Sequence, residues 1–331
     1  MRFPLSLYKS LIGYLAGKRL RGQKRFPLVL MLEPTHLCNL TCNGCGRIRE
    51  YQDTLHVQMS LEQCLAAVEE CGAPVVTICG GEPLLYQHIV PLVGELIARG
   101  KHIYLCTNGL LMLKRLPEFE PSSQLIWSVH LDGPREIHDM VVNRQGVFER
   151  AMESIREARR RGFLVCTNTT VYKESEPAQL NQLFDELEAA GISGLLVSPG
   201  YSFEDAAKQE LFLSRQEVEA KFRQLLNGLK HRRYWNSPLY LKFLTGQRHL
   251  TCTPWGTPCV NPQGWRSPCY LIADEHYPTW AELMARTDWE QFEHQEDPRC
   301  RECMMHSGFE PSAVFQGGLS DLVEMVKWNL T

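Results

Sequence analysis

No apolar run in this chain approaches the ~20 residues needed to cross a bilayer, so no spanning helix is expected. Charge of one sign is not in excess. The 35 basic and 38 acidic residues leave a formal net charge of -3, which implies no bulk attraction to nucleic acid. The form of a secreted disulfide scaffold is missing too. Such scaffolds are short and loop-rich, whereas this chain has 331 residues, 44% of them apolar, and several of its 13 cysteines lie inside apolar strand-like runs. No cleavable signal is evident, because Lys9 interrupts the early apolar stretch and no Ala-x-Ala site follows. A reducing, cytoplasmic setting and metal ligation are therefore the expectation for the cysteines.

Acidic residues are absent before Glu33, while Arg2, Lys9, Lys18, Arg19, Arg21, Lys24 and Arg25 are all basic. Leu5, Tyr8, Leu11, Ile12 and Leu15 recur at helical spacing. Residues 1–26 thus read as a basic amphipathic helix on an anionic membrane surface, or equally as a helix packed on the rest of the chain with a solvated basic end.

A fourth cysteine is absent where it would be most expected. Cys38, Cys42 and Cys45 lie within eight positions, just after the apolar run 28–32. Clusters that only carry electrons normally have every iron held by cysteine. Three thiolates leave one iron of a cubane open for a substrate or cofactor, so the triad points to chemistry rather than electron storage.

From about residue 27 to 230, strand candidates alternate with helix candidates. The strands are expected at 28–32, 74–79, 103–106, 125–131, 164–169 and 194–197, and the helices near 60–72, 88–99, 146–161 and 177–190. Ser60 and Gln63 have the form of a capping box, and Gly100, Gly162 and Gly191 stand where helices should stop. Repeated strand–helix units imply a parallel sheet with right-handed crossovers. Six units are too few for a closed eight-stranded barrel, so the expected fold is α/β, a partial (β/α)6 barrel over 27–240 with its site at the C-terminal strand ends.

The triad, Gly80 to Pro83, Thr107 to Gly109, His130 with Asp132, Asn168 with Thr169, and Ser198 all fall at those ends. Past residue 240 the alternation stops. Cys252, Cys259, Cys269, Cys300 and Cys303 appear among Pro, Gly and Trp, which reads as a small irregular Cys-rich domain over 241–331, folded round a metal.

Cys38-x3-Cys42-x2-Cys45 and Gly80-Gly81-Glu82-Pro83 resemble the two signatures of the radical S-adenosylmethionine (SAM) enzymes. Closer runs, among them 20–34, 104–108, 128–133, 197–202, 252–256, 268–271 and 305–311, resemble the adenosylhopane synthases of hopanoid biosynthesis over nearly the whole chain. The resemblance implies a [4Fe–4S] cluster on Cys38, Cys42 and Cys45, with S-adenosylmethionine on its fourth iron. It implies addition of a 5′-deoxyadenosyl radical to the alkene of diploptene, giving adenosylhopane. A flavodoxin or ferredoxin reductant, a hydrophobic triterpene substrate and peripheral contact with the inner face of the cytoplasmic membrane would follow. The basic N-terminal segment would then hold the barrel mouth near the bilayer.

Within that reading, Gly80 and Gly81 allow close backbone approach, Glu82 accepts from the cofactor's ammonium, and Pro83 completes the motif. Asn108, Ser128 and Ser198 are candidate ribose and adenine contacts, though Asn-Gly is also common in turns. Arg144 resembles an arginine used on the cofactor carboxylate. Cys106 is the expected hydrogen-atom donor to the adduct radical, although a strand cysteine is usually only a small buried hydrophobe. His130, Asp132 and Tyr201, with Phe203 and Trp255, are candidate substrate contacts. Cys252, Cys269, Cys300 and Cys303 are expected to hold a second [4Fe–4S] cluster or zinc. Cys259 looks like an extra, and Cys64, Cys71, Cys79 and Cys166 read as packing residues. The competing readings are a radical enzyme on another lipid or a peptide, and a non-catalytic iron–sulfur or zinc protein.

Overall fold

The computed structural model describes residues 4–227 and 232–330. Arg2 lies outside them. Six parallel strands, β1 (Val29–Leu32), β2 (Val75–Ile78), β3 (His102–Thr107), β4 (Leu125–His130), β5 (Leu164–Val171) and β6 (Gly194–Pro199), pair in sequence order. Helices cover their outer face: α3 (Leu61–Cys71), α4 (Ile89–Ala98), α7 (Val147–Arg160) and α8 (Pro177–Ala189). Their predicted bounds hold to within a residue or two. A longer helix, α1 (Leu5–Leu20), precedes β1, and short pieces lie between the other elements: α2 (Arg47–Glu50), α5 (Met112–Arg115) and α6 (Arg135–Val141). Ser60 accepts from the Gln63 amide and Gln63 reaches back to Ser60, so the capping box forms. Gly100, Gly162 and Gly191 all take positive φ, +71° to +87°, at the ends of their helices.

The C-terminal part carries more regular structure than its sequence suggests. α9 (Arg215–Leu225) and α10 (Pro238–Leu244) lead to β7 (Cys259–Asn261), β8 (Gly264–Pro268) and β9 (Ala273–Tyr277). β7 pairs in parallel with β1, Met31 opposite Cys259, and β8 and β9 continue antiparallel. One nine-stranded sheet thus runs from the barrel into the Cys-rich part. It is followed by α11 (Trp280–Arg286), α12 (Trp289–Glu293), α13 (His306–Gln316) and α14 (Leu319–Leu330). α13 spans from β6 to the turn before β7. The His306 amide donates to Ser198 Oγ, Phe309 stacks on Phe243 at 4.3 Å, and Phe315 packs on Phe26 and Trp255.

Of the two placements expected for the N-terminal segment, α1 takes the packed one, away from the mouth. It packs at the end of the barrel where strands begin, opposite the mouth. The Tyr14 hydroxyl donates to the Pro27 carbonyl at 2.7 Å, and the His102 imidazole, opening β3, is hydrogen-bonded to the Ser6 backbone. Its apolar side chains do not form one stripe: Leu7 is buried, while Ile12 is 63% and Leu20 88% exposed. The helix therefore lacks the single apolar stripe that its spacing predicts, and Ile12 and Leu20 are left facing outward.

Candidate active site

Strand alternation decides which side chains face the barrel's interior. In the parallel register Cys106 on β3 lies opposite Ser128 on β4, which lies opposite Cys166 on β5. Cys79 follows the last paired residue of β2, one position beyond the Ile78–Leu105 pair, and so extends the same row. Cys79 packs with Met31 and Cys259, and Cys106 and Tyr270 join that cluster. Cys79, Cys166 and Cys259 are thus inner-wall residues, whereas Cys64 and Cys71 sit on α3 in the outer layer. Ser128 is buried and hydrogen-bonds both Cys106 and Cys166. It is thereby tied into the thiol row. Burial pushes the Cys106 thiol up to about 12, and Glu82 adds to the shift, so it stays protonated at neutral pH.

The triad loop follows β1 over the mouth. Burial, and then the neighbouring thiols, push Cys42 upward, and burial raises Cys38 to about 12. Arg49 donates to the carbonyls of Cys42 at 3.2 Å and Cys45 at 2.5 Å, fixing the loop's far turn. The Gly80–Pro83 loop braces the near side. The Gly81 amide donates to the Thr35 carbonyl and the Glu82 amide to the Leu37 carbonyl. A Cβ on Gly81 would lie 2.2 Å from the Leu37 carbonyl oxygen, and one on Gly80, at φ +108°, 2.5 Å from that of Thr35. The glycines are therefore required by the triad loop itself.

Glu82 is fully buried and ties two loops together. It accepts from the amides of Leu84 at 3.1 Å and Asn108 at 2.9 Å and from the Thr107 hydroxyl at 2.9 Å. Burial raises it to about 7 against those hydrogen bonds. Asn108 donates in turn to Asn39 Oδ1 in the triad loop, at 2.8 Å. Pro83 opens the short turn that follows. Arg144 is exposed, with its guanidinium 3.5 Å from the Asn39 carbonyl, on the outer rim.

Deeper in, His130 Nε2 lies 2.8 Å from Asp132 Oδ1. Burial opposes charge on His130, but Asp132 prevails and raises it; Asp132 is held low by His130, His138 and the Thr170 amide despite its burial. His306 on α13 faces His130 and is depressed to about 4, first by burial. Its neighbour Glu310, raised by burial to about 7, accepts from Asn236 Nδ2 and the Ser237 amide at 3.0 and 3.1 Å. Sequence reasoning did not single out His306 or Glu310, although both lie in the 305–311 run. Ser198 is bound to Tyr240 and Met305 rather than open to a ligand.

Cys252, Cys269, Cys300 and Cys303 converge. Together they line one small cavity of about 30 Å³, and burial, reinforced by at least one of the others, raises Cys252, Cys300 and Cys303. Tyr201 lines this cavity with Leu271, Ile272 and Phe292, which corrects its expected place against a substrate in the barrel. Phe203 packs on Gly46 beside the triad, and Trp255 lies at the far end near α1. Among the described residues, no three His, Cys, Asp or Glu side chains are gathered tightly enough for a single metal ion.

A partial barrel with three thiols on the loop after its first strand defines the class of an iron–sulfur enzyme with one open metal position. The radical SAM superfamily profile matches residues 32–208, and a profile described as a domain of unknown function, DUF3463, matches 195–327. The chain belongs to the radical SAM superfamily, whose enzymes use a [4Fe–4S] cluster, S-adenosylmethionine and a reductant.

The chain is 23% identical over 261 residues to a GTP 3′,8-cyclase of Clostridium perfringens (strain SM101 / Type A), covering 72% of this chain and 79% of the relative. It is 26% identical over 174 residues to an AdoMet-dependent heme synthase of Oleidesulfovibrio alaskensis, covering 50% and 45%. Among solved structures, Streptococcus suis SuiB bound to precursor peptide SuiA superposes with a TM-score of 0.62 at 14% identity. That match covers 76% of this chain and 61% of SuiB, less than two thirds of its length. Hexahistidine-tagged anSMEcpe with bound AdoMet gives 0.59 at 16% identity, over 92% and 97%. At these identities the likeness is one of fold.

Proposed function

We propose that this chain is an adenosyl transferase that joins the 5′-deoxyadenosyl group to the alkene of a hopene, diploptene, to give adenosylhopane. The observation that carries the reading is the Cys106 thiol, inward-facing and protonated in the row below the cofactor loops. Addition of a carbon radical to an alkene leaves a new carbon radical, and a thiol is the side chain best suited to return a hydrogen atom to it; the resulting thiyl would be restored by one electron from the flavodoxin or ferredoxin system and one proton. The whole-chain resemblance to adenosylhopane synthases supplies the substrate class.

The donor sets fit the groups. Cys38, Cys42 and Cys45 would hold three irons, and the cofactors would supply the 5′-deoxyadenosyl radical. Glu82 keeps lone pairs to spare beside its three donors, so it can also accept from an ammonium. Gly80 and Gly81 shape the loop that presents it, Asn108 steadies Asn39 next to Cys38, and Arg144 is the rim cation suited to a carboxylate. His130 and Asp132 form a paired polar group at the inner wall, beside the space the acceptor would enter.

The C-terminal quartet is read as a second [4Fe–4S] site. Four converging thiols supply one ligand for each iron of such a cluster. A membrane-resident substrate would bring the enzyme to the inner face of the cytoplasmic membrane. Exposed Ile12, Leu20, Lys9 and Arg19 support α1 as a tether there, remote from the mouth.

Incubation with diploptene, S-adenosylmethionine and a flavodoxin or ferredoxin system is expected to yield a species with the mass of hopene plus adenosyl. Formation of 5′-deoxyadenosine without that species would assign the chemistry to another lipid or a peptide.

A further inference from the structure

A network of buried charges lies between the triad loop and the C-terminal cavity, and no step above uses it. Arg47, two residues after Cys45, is 4% exposed in its side chain. It donates through Nε to Glu33 Oε1 at 2.8 Å, to Glu50 Oε2 at 2.9 Å, and to the Tyr270 carbonyl. Its guanidinium also lies over the Tyr270 ring, 4.7 Å from the centroid. Arg266 on β8, 1% exposed, donates to Glu50 at 2.7 and 3.2 Å, to the Tyr51 hydroxyl, and to the Leu271 carbonyl at 3.1 Å.

Burying two guanidinium groups is costly unless their partners repay it. Glu33 and Glu50 supply the opposite charge, and the remaining donors of both arginines converge on one turn. Tyr270 and Leu271 directly follow Cys269. The amides of Leu271 and Ile272 both donate to the Cys269 sulfur at 3.4 Å. By holding the carbonyls of Tyr270 and Leu271, the two arginines fix the peptide planes that aim those amides. Both guanidinium groups thereby bring positive charge to the turn that follows Cys269. Positive charge and N–H donors at a ligand sulfur favour the reduced, more negative form of an iron–sulfur group. Glu50 pins both arginines and terminates α2, which starts two residues after Cys45.

Resting on the reading of the quartet as a metal centre, we propose that Arg47 and Arg266 are positioning residues that set the redox poise of the C-terminal centre. α2 thereby ties that poise to the loop carrying Cys45.

The test uses full-length enzyme, anaerobically reconstituted, in a C38A/C42A/C45A background that leaves only the C-terminal quartet. Iron content and the reduction midpoint, followed by electron paramagnetic resonance, are measured for this protein and with R266Q, R47Q or R47K added. Each Gln variant is expected to lower the midpoint by a tenfold shift in the one-electron equilibrium, about 59 mV. R47K, which keeps the charge without the fork, should recover part of it. Unchanged midpoints at full iron content would overturn the proposal. So would loss of iron with an unmoved midpoint, because that is a purely structural effect. Absence of iron from the background protein would refute the quartet reading itself, and the inference with it.

Discussion

Cys106 and Ser128 stand opposite each other on adjacent parallel strands, and the Ser128 hydroxyl also reaches Cys166 on the next strand. One serine therefore orients the thiol read as the hydrogen-atom donor. Cys106→Ala is expected to keep cofactor cleavage, measured as 5′-deoxyadenosine, while the saturated product falls at least about tenfold, a barrier change of roughly 1.4 kcal/mol. Ser128→Ala should leave cleavage intact and change product stereochemistry. Unaltered yield and stereochemistry in both would remove the thiol from the mechanism.

Gly81 tests the brace on the triad loop. A Cβ there meets a main-chain oxygen at 2.2 Å, which no rotamer change can relieve. Gly81→Ala should cost about 3 kcal/mol by overpacking and reduce the iron bound per chain. Gly94, on α4, has nothing within 4 Å of such a Cβ and serves as the control. Denaturant midpoints and iron content decide between them.

Glu310 gives a pH signature. Burial raises its folded-state value to about 7 from an ordinary 4.5, so folding favours the protonated form. That stability is full below about 4.5 and is lost as pH rises towards 7, on the order of 3 kcal/mol in all. Glu310→Gln keeps an acceptor for the Ser237 amide and removes the titration. Its melting temperature relative to the parent should therefore rise between pH 5 and pH 8. A constant offset across that range would show that the carboxyl does not titrate there.

The tether reading of α1 predicts that Ile12→Asp with Leu20→Asp weakens binding to anionic liposomes several-fold. Both side chains are exposed, so the melting temperature and the turnover of detergent-dispersed substrate should not move. Equal liposome binding would free α1 of that role.

Much of the barrel was legible because its signals are local. Gly100, Gly162 and Gly191 stop helices through their own backbone freedom, and the period of apolar residues marks each strand. The triad and the Gly80–Pro83 loop were legible for the same reason. The thiol row was not. Cys79 and Cys166 read as packing residues because only strand register places them beside Cys106 and Ser128. β7, Cys259–Asn261, is too short to show any period, and its pairing with Met31 joins residues more than two hundred positions apart. Tyr201 was misassigned for a related reason: an aromatic residue near a strand end carries no sign of which cavity it faces. Arg47 and Arg266 are ordinary charges in the sequence, and only their burial beside Glu33 and Glu50 gives them a task.

β7 completes β1 by main-chain hydrogen bonds, so the Cys-rich segment is stitched into the barrel rather than appended to it. Exchanging that segment between relatives would amount to swapping strands within one sheet. A functional chimera would have to carry β1, α2 and β7–β9 together as a single inherited block.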